Sequence, residues 1–166
     1  EVHVHPDKWV VEQLGKQYEN PFFLSLGFYR PHVPFFPPRR VYDSLKSVKL
    51  PSVDAEDWND IPGAARKMSL SNPKIPTHDW MKEKNRWQQA VHAYLACVRW
   101  TDEQLGRVLD ALDKGPHAKD TIVVLFSDHG YHLGEKQRWS KFSLWERTTR
   151  VPLIISVPDG VEAKTD

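Results

Sequence analysis

The sequence predicts an α/β fold, a mostly parallel sheet flanked by helices, and three observations carry that expectation. Ile122 to Phe126, entered from Thr121, is a short uninterrupted run of β-branched, leucine and aromatic residues, the composition of a strand buried on both faces. Val151 to Val157 (VPLIISV) is a second run of the same kind. Between Lys82 and Lys114, the residues Val91, Tyr94, Val98, Leu105, Val108 and Leu112 recur at helical spacing and form an apolar stripe. Helix, strand, helix, strand, loop and strand in that order describe a sheet with helices packed on it.

The elements follow along the chain. Asp7 to about Tyr18 reads as a short helix, with Trp9, Val10 and Leu14 on one side, Pro6 and Asp7 at its start and Asn20-Pro21 at its end. His3 and His5 precede it at alternating spacing, a weak metal-ligand signal. Pro21 to Phe28 (PFFLSLGF) reads as a strand, ending in a turn stiffened by prolines on both sides of His32. Phe36 to Trp80 shows no sustained period and is interrupted by prolines. It reads as a long irregular excursion with one short helical piece near Ala64 to Met68, of the kind that usually serves function. The long helix from Lys82 ends at Lys114, with Gly115 at its C-terminal stop. Glu103 and Arg107 are spaced as an i,i+4 ion pair, and Cys97 reads as a packed thiol.

Composition narrows the function. With 23 Lys and Arg against 22 Asp and Glu, the chain carries no basic footprint for nucleic acid. No apolar run is long enough to span a bilayer as a helix. The opening EVHVHPDKW has no signal-peptide pattern. A single cysteine excludes an internal disulfide. Thirteen prolines and seven tryptophans in 166 residues concentrate in loops, where aromatics suit the wall of an active site.

Chemistry gathers where the Thr121 strand stops, at Ser127-Asp128-His129-Gly130. A carboxylate and an imidazole stand side by side at a strand end, the place where open α/β sheets bind ligands. Asp is a hard oxygen donor suited to calcium, whereas an imidazole nitrogen suits zinc as well, so the pair is compatible with either metal. Asp128 could instead cap the turn that follows. Tyr131 and His132 come next and are candidates for lining a substrate pocket or for packing. Lys141 can return a positive charge to the site, or remain a solvated lysine. Arg30, Arg39 and Arg40, near His32, suit an anionic sugar or a solvated face.

Three segments resemble the sulfatases, most closely their iduronate-2-sulfatase-like branch. They are PFFLSLGFYRPHVPF (residues 21 to 35), YLACVRWTDEQLGRVLDAL with the following TIVVLFSDHGYHLGE, and RWSKFSLWERTTRVPLIISVP (residues 138 to 158). Arg-Pro-His-x-Pro-Phe together with Ser-Asp-His-Gly and Trp-x-Lys is a specific combination. The resemblance implies an alkaline-phosphatase-like α/β fold and hydrolysis of sulfate esters by a formylglycine beside a calcium ion. It implies that Asp128 and His129 are metal ligands, that His32 contacts the sulfate near the leaving oxygen, and that Lys141 binds the sulfate. It also implies a sulfated sugar or other small sulfate ester as substrate, and a periplasmic, secreted or lysosomal location.

The family's C/S-x-P-x-R nucleophile motif is absent from these 166 residues, as are its paired N-terminal aspartates. The expectation is therefore a single partial catalytic domain over residues 1–166. It would lack the N-terminal nucleophile and metal segment and the C-terminal part, and would be inactive alone. The remaining part of a sulfatase chain is then an expected partner. Two other readings remain open on the residues: a zinc-dependent phosphatase or phosphodiesterase of the same superfamily, and a non-catalytic piece that binds a partner chain or an anionic glycan.

Overall fold

A computed structural model describes residues 6–158 apart from Ser71 and Pro73; the His3–His5 pair lies outside the described residues. The elements in order are helix α1 (Pro6–Leu14), α2 (Arg39–Ser44), a 3-10 turn (Ala55–Trp58), α3 (Gly63–Leu70), α4 (His78–Glu83), α5 (Trp87–Asp113), strand β1 (Val123–Phe126), β2 (His132–Leu133), a 3-10 turn (Glu135–Gln137), β3 (Trp139–Ser140), α6 (Glu146–Thr149) and β4 (Leu153–Ser156). No helix among them is long and apolar enough to cross a membrane.

The spine is α5, 27 residues and about 40 Å long. Its two ends bury different partners. Toward the C-terminus, Leu112 packs with Val10 and Leu14 of α1, and Val108, Phe22, Leu24, Leu26 and Val123 close around them. Toward the N-terminus, Val91 packs with Met81 of α4, Leu133 of β2 and Trp139 of β3. Cys97 is fully buried in this helix, and burial raises its thiol pKa, as a packed rather than reactive cysteine requires.

The long helix expected from Lys82 is two helices. Asn85 takes φ 51° between them, and a left-handed residue breaks the ladder of α4 before α5 begins. Gly115 ends α5 as expected, but for a different reason. Its φ is not left-handed; a Cβ there would lie 2.5 Å from Leu14 O, so glycine is needed for the close approach of α1. Glu103 ion-pairs with Arg40 of α2 at 2.6 Å, a contact between elements that spacing along one helix does not reveal. The short helix near Ala64 to Met68 is present as α3, whereas α2 was not anticipated.

The strands depart further. Pro21 to Phe28 forms no ladder. It is extended and alternates between exposed and half-buried, with Phe22, Leu24 and Leu26 facing the α1–α5 core. Its apolar side is satisfied by helices, while its backbone meets no strand among the described residues. β1 pairs with β4 antiparallel, Val123 opposite Ser156 and Phe126 opposite Leu153. β2 pairs with β3, also antiparallel. The parallel arrangement is thus not formed among the described residues, although the mixture of helix and sheet agrees with the α/β class. Nor is β1 buried on both faces: Val124 is 51% and Phe126 68% exposed, and β4 is exposed throughout. Composition written for two-sided burial is here covered on one side only.

Two glycines on α5 and its exit separate crowding from propensity. Gly106 has nothing within 4 Å of an added Cβ. Gly106→Ala is expected to raise stability by about 1 kcal/mol through helix propensity. Gly115→Ala is expected to lower it by about 1–3 kcal/mol through overpacking. Urea unfolding midpoints of the two variants check both signs.

Candidate active site

The loop after β1 is pinned by backbone bonds. Ser127 Oγ donates to His129 O at 2.8 Å, and Gly130 N donates to Thr148 O of α6 at 2.8 Å. A Cβ on Gly130 would stand 2.0 Å from Arg147 O, so only glycine lets the loop approach α6 this closely. Asp128 and His129 are thereby held at the end of β1, as the sequence predicted.

Their polar atoms face each other. His129 Nδ1 lies 2.8 Å from Gly130 O and must carry the hydrogen. The other ring nitrogen, Nε2, lies 3.5 Å from Asp128 Oδ2. Two acceptors at that distance repel unless a proton or a cation lies between them. Asp128 Oδ1 accepts from His129 N at 3.1 Å, so one oxygen caps the turn while the other remains available on a side chain 82% exposed. The turn-capping reading of Asp128 is therefore met by one of its oxygens. The donor set fits calcium or zinc. Among the described residues no group of three or more His, Cys, Asp or Glu could hold a metal, so this pair is not a complete coordination shell.

His32 sits in an exposed turn built by its neighbours. Arg30 donates to Pro34 O at 2.8 Å and to His32 O at 3.3 Å, and the Tyr29 ring lies tilted against the histidine ring with centroids 4.9 Å apart. Thr101 of α5 donates to Arg30 O and anchors the turn to the spine. His32 Nδ1 is 2.7 Å from Val33 O, which leaves Nε2 for another partner. Phe35, at the end of the turn, meets Tyr94 and Tyr131 edge-on at 5.5 and 5.9 Å.

Tyr131 is half-buried and stacked on Tyr94 at 5.5 Å. Burial raises the pKa of its phenol, so it stays protonated. It meets the end of the His32 turn through Phe35. His132 is different: the ring is fully buried, with Nδ1 3.1 Å from Glu135 O and Nε2 3.1 Å from Ser143 Oγ. Packing, the second of its two expected roles, is the one it fills, because both ring nitrogens are engaged inside the loop. Lys141 is half-buried in a turn closed by Ser143 N donating to Lys141 O at 2.8 Å.

The loop from Gly134 to Ser140 is unusually shaped. Gly134, Lys136, Gln137 and Ser140 all have positive φ. For non-glycine residues this costs on the order of 1 kcal/mol each, and it persists only where surroundings impose it. Here Trp87 Nε1 donates to Leu133 O at 2.8 Å, Glu135 Oε2 accepts from Leu133 N at 2.8 Å, Lys136 ion-pairs with Asp57, and Arg138 Nη2 donates to Phe142 O at 2.7 Å. Sequence reasoning missed Ser140, Ser143 and Thr148. Hydroxyl residues in a loop carry no spacing signal, and only Gly134 announced the tight path.

The structure thus joins the three segments bearing His32, Asp128–His129 and Lys141. They meet through Phe35, Tyr131 and Thr148. Among the described residues, direct contact between site side chains is confined to the Asp128–His129 pair.

Comparisons with known proteins agree with this geometry. The family model described as Sulfatase matches residues 7–166. A sulfatase of Formosa agariphila is 46% identical over 158 residues, covering 94% of this chain and 31% of that protein. Human iduronate 2-sulfatase is 34% identical over 174 residues, covering 92% of this chain and 30% of the human protein. A solved Bacteroides fragilis structure described as a sulfatase superposes with a TM-score of 0.69 at 25% identity, over 93% of this chain and 30% of that one. A structure solved with its substrate D-glucosamine-2-N,6-O-disulfate matches the fold at TM-score 0.69 and 23% identity, over 95% of this chain and 44% of that one. The chain belongs to the sulfatase family, and its fold is part of the alkaline-phosphatase-like α/β fold. It spans just under a third of the length of these two curated relatives, 31% and 30%.

Two buried histidines give the region a pH dependence. Burial is the largest cause lowering the pKa of both His132 and His78 from 6.5. Above that value both states are neutral and the full stability is present. As pH falls through it, the unfolded chain binds protons that the folded chain does not, and stability is lost. Urea midpoints are expected to fall between about pH 7 and about pH 5, before most carboxylates titrate.

Proposed function

We propose that the full-length protein to which this chain contributes is a sulfuric-ester hydrolase acting on a sulfated sugar. The observation that supports this most is the Asp128–His129 pair, two acceptors 3.5 Å apart at the end of β1 in a chain of the sulfatase family. In this reading Asp128 and His129 are two ligands of a calcium ion. When bound, the ion supplies positive charge that draws electron density from the sulfuryl oxygens.

The chain's own residues have distinct tasks. Lys141 holds a non-bridging sulfate oxygen by charge and hydrogen bonding. His32, through Nε2, faces the ester oxygen and gives it a proton as the S–O bond breaks, so that the sugar leaves as an alcohol. Water is consumed and sulfate is released. Tyr131, with its phenol protonated, walls the pocket beside the His32 turn. The attacking group, a formylglycine in this reading, comes from a Cys- or Ser-x-Pro-x-Arg motif elsewhere in the protein. A sugar substrate is supported by the names of relatives, iduronate 2-sulfatase among them. Such an enzyme would work in the periplasm, in a lysosome or after secretion.

The test is hydrolysis of 4-nitrophenyl sulfate by the full-length protein, with calcium and with chelator. Turnover is expected with calcium and not with chelator. Asp128→Ala and Lys141→Ala are each expected to lower kcat/KM about 100-fold or more, the scale of losing a charge that stabilises the transition state. Activity that survives both the chelator and Asp128→Ala would overturn the proposal. Turnover of a phosphate ester with zinc, in place of the sulfate ester, would replace it with a metallophosphatase.

A further inference from the structure

Beneath the site lies a buried chain of hydrogen bonds whose direction can be worked out. His132 Nδ1 faces Glu135 O, a pure acceptor, so it carries the hydrogen. Burial keeps the ring neutral against the opposing carboxylate of Glu135, and Arg138 and Arg147 act in the same direction as burial. Nε2 therefore accepts, and its partner at 3.1 Å is Ser143 Oγ. Ser143 has one hydroxyl proton and uses it there. Thr148 Oγ1 lies 2.7 Å from Ser143 Oγ, and with the Ser143 proton on His132 that bond forms when Thr148 is its donor. Thr148 has one hydroxyl proton, for which Trp145 O at 2.8 Å and Ser143 O at 3.0 Å compete with Ser143 Oγ. Thr148's own carbonyl accepts from Gly130 N.

One continuous path therefore runs from the Asp128–His129 loop, through Gly130 and Thr148, to Ser143 on the turn of Lys141, and ends on His132. Apolar burial does not hold that turn, since Phe142 is 59% and Leu144 89% exposed. Polar bonds do: the Ser143 side chain from one side and Arg138 Nη2 on Phe142 O from the other.

We propose that Thr148, Ser143 and His132 are positioning residues, whose chain fixes the turn bearing Lys141 relative to the loop bearing Asp128 and His129. The inference rests on the reading of those three residues as the sulfate-ester site. A lysine and a cation that grip the same sulfuryl group must be placed together, and a misplacement near 1 Å costs about 100-fold in rate.

The experiment uses the full-length protein and 4-nitrophenyl sulfate. Thr148→Val and Ser143→Ala are expected to lower kcat about 10- to 100-fold while KM changes less than about threefold. Thr148→Ser, which restores the hydroxyl, is expected to return kcat to within about threefold of the parent. Thr149→Val is the control, because its hydroxyl is exposed and lies outside the chain. If Ser143→Ala does not fold, Thr148→Val, which preserves shape, carries the kinetic test. Nitrogen-15 NMR of His132 is a readout independent of turnover: a neutral ring protonated at Nδ1 is expected, with the Nε2 resonance shifted in Ser143→Ala. Variants that melt earlier yet keep kcat would overturn the proposal, as would a His132 protonated at Nε2 at neutral pH. A parent protein that turns over no sulfate ester would overturn the proposed function, and the nitrogen signature would then decide the chain on its own.

Discussion

The two-ended burial of α5 is the constraint on which the rest of the structure depends. A helix this long cannot be covered by one neighbour. One end takes α1 and the extended Phe22–Leu26 segment, and the other takes α4, β2 and β3. Each buried aliphatic side chain contributes roughly 1.5–3 kcal/mol, so the two clusters fix where every loop leaves the helix. The His32 turn is anchored to the middle of α5 by Thr101, between the two clusters. The loop from Gly134 to Ser140 is anchored near its start by Trp87. The helix does no chemistry itself, yet it sets the distance between the segments that would.

The site itself is built from backbone bonds more than from regular elements. β2 and β3 contribute only two residues each, and α6 only four. Such short pieces have little stability of their own, and the loops between them adopt left-handed conformations that cost energy. What holds them is a set of side chains reaching carbonyls and amides: Trp87 on Leu133, Glu135 on Leu133 and Arg138 on Phe142. Two glycines, Gly130 and Gly134, permit the contacts, one by leaving room for Arg147 O and the other by accepting φ 125° beside His78 and Trp87. Precision in this region comes from many small polar restraints.

Sequence showed the α/β class, the long helix and the place of Asp128–His129 at the exit of β1, because each rests on local pattern. Apolar runs and helical spacing are written in neighbouring residues. The break at Asn85, the absence of a ladder at Pro21–Phe28 and the antiparallel pairing of β1 with β4 are not. They depend on which distant segment offers a backbone partner or a competing contact. Glu103 illustrates this, since its ion pair with Arg40 joins two helices and is written nowhere in the spacing along α5. His132 illustrates it for the site: an imidazole three residues beyond His129 looks like a pocket residue until its two nitrogens are found facing Glu135 and Ser143.

The ladder of β1 and β4 leaves Val124, Phe126, Leu153, Ile154 and Ile155 open to water. Contact between such surfaces is driven by release of hydration water, a force that weakens on cooling and rises with concentration. These residues as a separate chain would therefore be limited by colloidal behaviour before they are limited by unfolding. Cold, dilute and salt-poor conditions are the ones in which the physics keeps that surface apart, because sulfate and phosphate salts strengthen the same attraction.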